Sequence, residues 1–215
     1  MRIGVLGSGA MGAKLGTIFA RAGHQVVFSY SRSDEKLKSL ARRAKADARA
    51  GSPREAAGCD AVLLAVNWPQ VDDVLHQAHD LAGKVLLTCA VPMNEDNTEL
   101  VIGRTSSGAE ELVKKTRGAR VVSAFGTVPS EALYGVFRRR THSPRPSLVY
   151  CGDDEAAKRV ARGLIHDAGF DPVDVGPLRI ARYTEPCALL VAQVAYEGGR
   201  PPEVAYRFER FPEEE

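Results

Sequence analysis

The chain has almost no surplus charge: across 215 residues, 29 Lys and Arg stand against 27 Asp and Glu, a net of +2. So small an excess supplies no general attraction to nucleic acid or to an anionic membrane surface, and any anion must be recognised by local placement. Long apolar runs are missing too; none approaches the roughly 18 residues of a membrane span. Met1 and Arg2 lead straight into the apolar run Ile3–Leu6, which leaves no room for a signal peptide, so a cytoplasmic protein is expected. Cysteine is sparse. Cys59, Cys89, Cys151 and Cys187 are widely spaced with no C-x-x-C, and they read as reduced, mostly buried thiols. No internal repeat, low-complexity tract, catalytic triad or metal motif is present. His76 and His79 share a helical face near Asp72 and Asp73, but the ligand count is unconvincing and a solvated amphipathic helix is the expectation.

What the sequence does contain is alternation of short apolar runs with helix-like segments, the pattern of a parallel α/β sheet. Strands are expected at Ile3–Leu6, Gln25–Tyr30, Ala61–Val66, Lys84–Thr88, Arg120–Ala124 and Ser147–Cys151, with a short one at Pro172–Val175. Helices are expected near Ala10–Ala22, Asp34–Ala46, Val71–Leu81, Glu110–Lys115, Glu131–Val136 and Cys187–Ala195, the last with Pro186 early in it or kinking it. Ser52-Pro53-Arg54-Glu55 and Ser107-Gly108-Ala109-Glu110 read as capping boxes, and Asp153 as the cap of a helix carrying Ala157, Val160, Ala161, Leu164 and Ala168. The expected fold is a Rossmann-type, doubly wound parallel sheet over residues 1–145. A small C-terminal α/β lobe, residues 146–215, would close a cleft, with the tail Glu213–Glu215 frayed.

Between the first strand and first helix stands Gly7-Ser8-Gly9-Ala10-Met11-Gly12, a G-x-G-x-x-G in the setting that makes it a phosphate cradle. Gly7 permits the tight turn, Gly9 the approach of a pyrophosphate, and Gly12 the close packing of helix on strand, while helix-start amides face the phosphate. After the second strand an NAD-binding chain would present an acid to the adenosine ribose. Here Ser31, Arg32 and Ser33 stand instead, with Lys36 one turn on. Serine hydroxyls can donate to phosphate oxygens and a guanidinium can pair with them, so this stretch favours NADPH over NADH. The same residues also read as a helix cap at Ser33 followed by a solvated charged face, and both readings can hold at once.

These segments together carry a family resemblance. GSGAMG, SRS, AVNWP, ARVVSAFGTVP, YCGDDEAAKRVARGLI and DVGPLRIARYTEP resemble the NADPH-dependent coenzyme F420 reductases and their bacterial relatives, over nearly the full length. The resemblance implies NADP(H) in the first domain and reversible hydride transfer to a deazaflavin, coenzyme F420, in the cleft. Ser8 to Met11 would contact the pyrophosphate, and Ser31, Arg32 and Lys36 the 2′-phosphate. Ala65, Val66 and Asn67 would sit at the end of their strand. Archaeal members place His, and related reductases Asn, where this chain has Gly126, which has no side chain to contact either ring. The acceptor could thus be a flavin, metal chelate or small carbonyl or imine instead.

Hydride transfer between two planar rings needs the reacting carbons held about 3–3.5 Å apart and water excluded, with little acid–base help. Gly126, Thr127, Val128 and Pro129 are the candidates for positioning the rings. Cys89, Ala90 and Val91 are expected on the same carboxyl edge of the sheet, where such folds bind ligands. Arg138-Arg139-Arg140 with Arg145 is the strongest basic cluster, readable either as an attractor for an anionic acceptor tail or as a solvated loop. A redox sensor that binds NADP(H) without turnover is the alternative outside enzymes. The expected partner is a small-molecule redox acceptor, and the C-terminal apolar helix could serve a homodimer interface.

Overall fold

The computed structural model describes residues 1–197, 199 and 201–211; the Glu213–Glu215 tail lies outside the described residues. Among the described residues eight strands form one sheet: β1 (Arg2–Leu6), β2 (Gln25–Ser29), β3 (Arg49–Ala50), β4 (Ala61–Leu64), β5 (Val85–Thr88), β6 (Arg120–Ala124), β7 (Ser147–Gly152) and β8 (Asp171–Asp174), in the order β3-β2-β1-β4-β5-β6-β7-β8. Pairing is parallel from β3 to β6. β7 then runs antiparallel to β6, and β8 parallel to β7. The residues after 146 therefore continue the same sheet, with Ser123 of β6 opposite Cys151 of β7.

Strand residues alternate between two buried layers, as a sheet covered on both faces requires. Ile3, Val5, Leu63 and Leu87 face α1 (Ala10–Arg21), α2 (Asp34–Ala44), α6 (Ala132–Arg138) and α7 (Glu155–Asp167). Leu6, Val62, Leu64 and Leu86 face α3 (Pro53–Ala57), α4 (Val71–Ala78), α5 (Gly108–Thr116) and the start of α8 (Ala181–Tyr196). Order reverses between β1 and β4, which opens a crevice at their carboxyl ends.

Local chemistry explains most boundaries. Ser52 and Glu55 form the expected capping box on α3. At α5 only half a box forms: the Ser107 hydroxyl accepts the Glu110 amide, but Arg182 takes the Glu110 carboxylate at 2.6 and 2.8 Å. Asp153 does not cap α7. Asp154 does, its carboxylate accepting the Ala157 amide at 2.7 Å, while Asp153 accepts the Leu178 amide and fixes the turn before α8. α8 begins six residues before the expected Cys187 and keeps Pro186 inside it. No helix among the described residues is long and apolar enough to cross a membrane.

Candidate cofactor cleft

The turn from β1 into α1 is built from glycines for steric reasons. Gly7 has φ +126°, and a Cβ there would lie 2.2 Å from the Ala65 carbonyl oxygen. A Cβ on Gly12 would come within 2.1 Å of the Gly7 carbonyl oxygen. Gly9 differs: a Cβ there meets no protein atom within 4 Å. A side chain at Gly9 would project into open space at the mouth of α1. α1 has no side-chain cap and no acid in its first turn, so its leading amides and positive dipole end face that space. A pyrophosphate fits a surface with these properties.

The second element of the expected nucleotide site follows β2. Tyr30 turns the chain at φ 59° and its hydroxyl donates to Asp73 at 2.6 Å. Burial and that bond push the Tyr30 hydroxyl up to about 12, and the same bond holds Asp73 below the usual carboxylate range. The Ser31 hydroxyl accepts the Ser33 amide, and the Ser33 hydroxyl accepts the Lys36 amide, capping α2. Arg32 and Lys36 are exposed. The two serines thus shape the loop and leave the cationic side chains open to solvent, and no acid occupies positions 30–33.

A cleft of about 380 Å³ runs from the cradle along the carboxyl edge of the sheet. Gly9, Ala10 and Met11 line one end, and Ala65–Asn67 and Cys89–Val91 form its floor. Gly126, Val128 and Pro129 stand beside Ala188, Val191 and Ala192 of α8 at the other end. Among the described residues, no Asp, Glu, Lys, Arg or His is part of its walls. The Cys89 thiol donates to the Leu64 carbonyl oxygen and burial pushes it up to about 12, so it is a neutral wall and not a nucleophile.

Of the residues expected to position the rings, Thr127 turns away. Its side chain is buried outside the cleft and its hydroxyl meets that of Tyr206 at 2.7 Å. Gly126 lies on the wall, and a Cβ there would come 3.3 Å from Cγ2 of Val91. Arg138–Arg140 and Arg145 are not part of the walls. Arg140 stacks 4.2 Å from the Phe137 ring centroid, and Arg145 donates to the His166 carbonyl. His79 ends α4 at φ 64°, and no cluster of metal-ligating side chains occurs among the described residues.

Sequence reasoning missed the far wall and the rim. Met93, Asn97, Phe125, Ser130 and Tyr196 also line the cleft. Lys14 donates to Ser130 at 3.1 Å, Ser130 to Glu131 at 3.2 Å, and Tyr196 to Glu131 at 2.8 Å, a chain that ties the end of α8 to α1 across the rim. Burial raises the Glu131 carboxyl, but the Tyr196 hydroxyl, its own amide and nearby Lys14 together hold it below its ordinary value. Only the apolar spacing within α8 could have pointed to this wall.

Residues 2–92 match the sequence profile described as NADP oxidoreductase, coenzyme F420-dependent. Metalloreductase STEAP3 of Rattus norvegicus is 27% identical over 188 residues, which cover 86% of this chain and 36% of that one. The chain thus spans about a third of the length of that relative. A candidate F420-dependent NADP reductase from Arthrobacter sp. FB24 superposes with a TM-score of 0.83 at 23% identity, covering 97% of this chain and 99% of its own. A reductive aminase from Aspergillus terreus, in complex with NADPH and ethyl-5-oxohexanoate, superposes with a TM-score of 0.66 at 18% identity, over 92% of this chain and 63% of its own. At these identities the superpositions establish the fold alone.

Proposed function

We propose that this NADP-dependent oxidoreductase passes hydride between NADP(H) and a planar ring of the deazaflavin kind, coenzyme F420. The observation that carries this reading is the continuous cleft from an open phosphate cradle to an apolar ring site with, among the described residues, no ionisable acid or base beyond the neutral Cys89 and Tyr196. Reduction of a carbonyl or imine generally needs a proton donor beside the reacting atom, and the phenolic hydroxyl on the wall, that of Tyr196, is given to Glu131 at 2.8 Å, whereas ring-to-ring hydride transfer needs position and dryness. Bound NADPH supplies the hydride. The chain's own work is to hold the pyrophosphate on the α1 amides and the 2′-phosphate at Ser31, Arg32 and Lys36. Gly126, Val128 and Pro129 then set the spacing of the rings, and α8 covers them from water.

A flavin acceptor is the second reading. It is supported by Gly126, which leaves room at the ring wall. One assay separates the two: purified protein, NADPH and oxidised coenzyme F420, followed by loss of deazaflavin absorbance, with NADH and FMN in parallel. Loss with NADPH and the deazaflavin alone is the expected result. Faster turnover with FMN would transfer the role to a flavin, and NADPH binding without turnover of either would mark a sensor.

A further inference from the structure

Behind the ring-site wall lies a second, much smaller pocket of about 10 Å³, room for a single water. The two cavities share a partition, since Cys89, Ala90, Val91 and Gly126 line both. Gly126 adds no side chain to that partition, and an added Cβ would meet only a Val91 methyl and the Cys89 carbonyl oxygen within 4 Å. The chemistry of the two spaces differs. Thr88, Ser123, Thr127 and Thr184 line the smaller pocket together with Glu185 of α8, which is 5% exposed. The Glu185 carboxylate has two partners, the Gly108 and Ala109 amides at 2.8 and 2.9 Å. Both are donors and neither accepts a proton, so a protonated Glu185 needs another acceptor for its O–H. The pocket is the polar space it borders. Four hydroxyl side chains and a carboxyl group around one water-sized space meet the two to four polar partners that a buried water requires.

We propose that this pocket holds a buried water through which Glu185 exchanges a proton with the acceptor ring. On the ring-to-ring reading above, hydride leaves NADPH with its electron pair, forms its new bond on the ring and leaves NADP⁺, while a ring nitrogen gains a proton. Glu185 gives up its proton to the water, and the water passes one to the ring nitrogen past Gly126. The carboxylate left behind is held by the two amides at the positive end of α5, and solvent returns its proton between turnovers. In reverse the carboxylate takes the proton. Glu185 stands behind the wall and not beside the reacting carbon, so the ring site itself stays free of acid. Burial lifts its carboxyl to about 7, and both forms are populated near neutrality. Glu110 of α5 adds to the rise, with its charge paired to Arg182 of α8. From the sheet, the Cys89 thiol on β5 and the Cys151 thiol on β7 are pushed up to about 12 by burial and stay neutral. Burial also raises the Tyr206 hydroxyl beyond Thr127.

The test compares wild type with Glu185→Gln and Thr184→Val, using NADPH and whichever of oxidised coenzyme F420 and FMN the wild type reduces. Wild-type kcat for acceptor reduction is expected to fall as pH rises through about 7, where the donor form is lost, and the reverse reaction to speed up over the same range. Glu185→Gln cannot ionise and is expected to lose that limb in both directions. Its kcat at low pH should drop about a hundredfold, the lesser end of what a positioned acid supplies. Thr184→Val leaves both amide contacts of Glu185 in place and serves as the test if Glu185→Gln does not fold. It is expected to keep the limb but lose kcat severalfold and change the solvent deuterium isotope effect. Two readouts need no turnover. Infrared titration of the protein alone should show a carboxylic-acid band that disappears through about pH 7 and is absent from Glu185→Gln. A crystal structure should show one water within hydrogen-bond distance of Glu185. A merely structural Glu185 would lower the variant's stability without moving the pH limb. A retained limb in Glu185→Gln, a dry pocket, or rates indifferent to Thr184→Val would overturn the proton route and leave ring-to-ring hydride transfer standing. Reduction of neither ring by wild type at any pH would overturn both.

Discussion

The hydroxyls of Thr127 and Tyr206 lie 2.7 Å apart and join residues 79 positions distant. The Ser147 amide donates to the Tyr206 carbonyl and the Phe208 amide to the Ser147 hydroxyl, so the C-terminal segment is strapped along β7 behind the ring wall. Thr127 thereby acts on the cleft indirectly, by fixing the loop that carries Gly126 and Val128. Thr127→Val keeps the side-chain shape and removes the bond, leaving Tyr206 with the Val149 amide at 3.4 Å. Loss of about 1–2 kcal/mol in urea unfolding is expected, the range for a buried hydrogen bond with one partner left behind. Tyr206→Phe should cost a similar amount, and the double variant less than the sum. Full additivity would show that the two hydroxyls do not cooperate.

Arg32 is the test of the cofactor preference. Arg32→Glu replaces a cation with an acid beside the expected 2′-phosphate, and NADPH affinity should fall about ten- to a hundredfold, as for a charge-assisted contact. NADH affinity should change little. Equal losses for both nucleotides, measured by fluorescence titration, would remove Arg32 from the phosphate site.

Two glycines of the cradle should separate folding from binding. Gly12→Ala drives a methyl to within 2.1 Å of the Gly7 carbonyl oxygen and should lower the melting temperature by several degrees. Gly9→Ala meets no protein atom and should melt like wild type, yet bind NADPH much more weakly because its methyl occupies phosphate space. If Gly9→Ala bound NADPH normally, the pyrophosphate would not lie there.

Glu185 links stability to pH. Its carboxylate reaches from α8 to the start of α5, accepting the Gly108 and Ala109 amides at 2.8 and 2.9 Å. Burial lifts it to about 7 from an ordinary 4.5, those amides pull it down, and the nearby charge of Glu110, paired to Arg182, adds to the rise. An acid raised by folding keeps its proton longer in the folded chain, so this contribution favours the fold at low pH and declines as pH rises from about 4.5 to 7. Glu185→Gln cannot ionise and should flatten that part of the melting-temperature profile. Parallel profiles for the two proteins would show that Glu185 does not titrate in this window.

Gly126 has room for more. Its added Cβ would sit 3.3 Å from a Val91 methyl, a contact relieved by a few tenths of an ångström. Gly126→Asn should therefore fold, keep its NADPH affinity, and change kcat/KM for the ring acceptor. An unchanged kcat/KM for both coenzyme F420 and FMN would place the reacting rings elsewhere.

The parallel sheet was legible because its strands are short apolar runs with glycines at fixed offsets, and those signals are local. β3 escaped notice because two residues, Arg49 and Ala50, carry no pattern. Asp153 and Asp154 could not be told apart as caps, since the choice depends on Leu178, whose amide takes Asp153 from 25 positions away. Gly9, Ala10, Met11, Ala65, Val66, Asn67, Cys89, Ala90, Val91, Gly126, Val128 and Pro129, all singled out from sequence, do line one cleft. Thr127 does not, because only the packed chain shows Tyr206 waiting behind it.

By itself, then, the sequence determined the sheet, the glycine cradle and the absence of an acid after β2, because each depends on neighbours within a few residues. Tertiary structure decided the rest. It set which side of the β6 loop faces the cleft and brought α8 over the ring site, holding it there through Glu185 at one end and Tyr196 at the other. Those outcomes rest on contacts between residues far apart in the chain, and such contacts leave no periodic trace in the sequence around either partner.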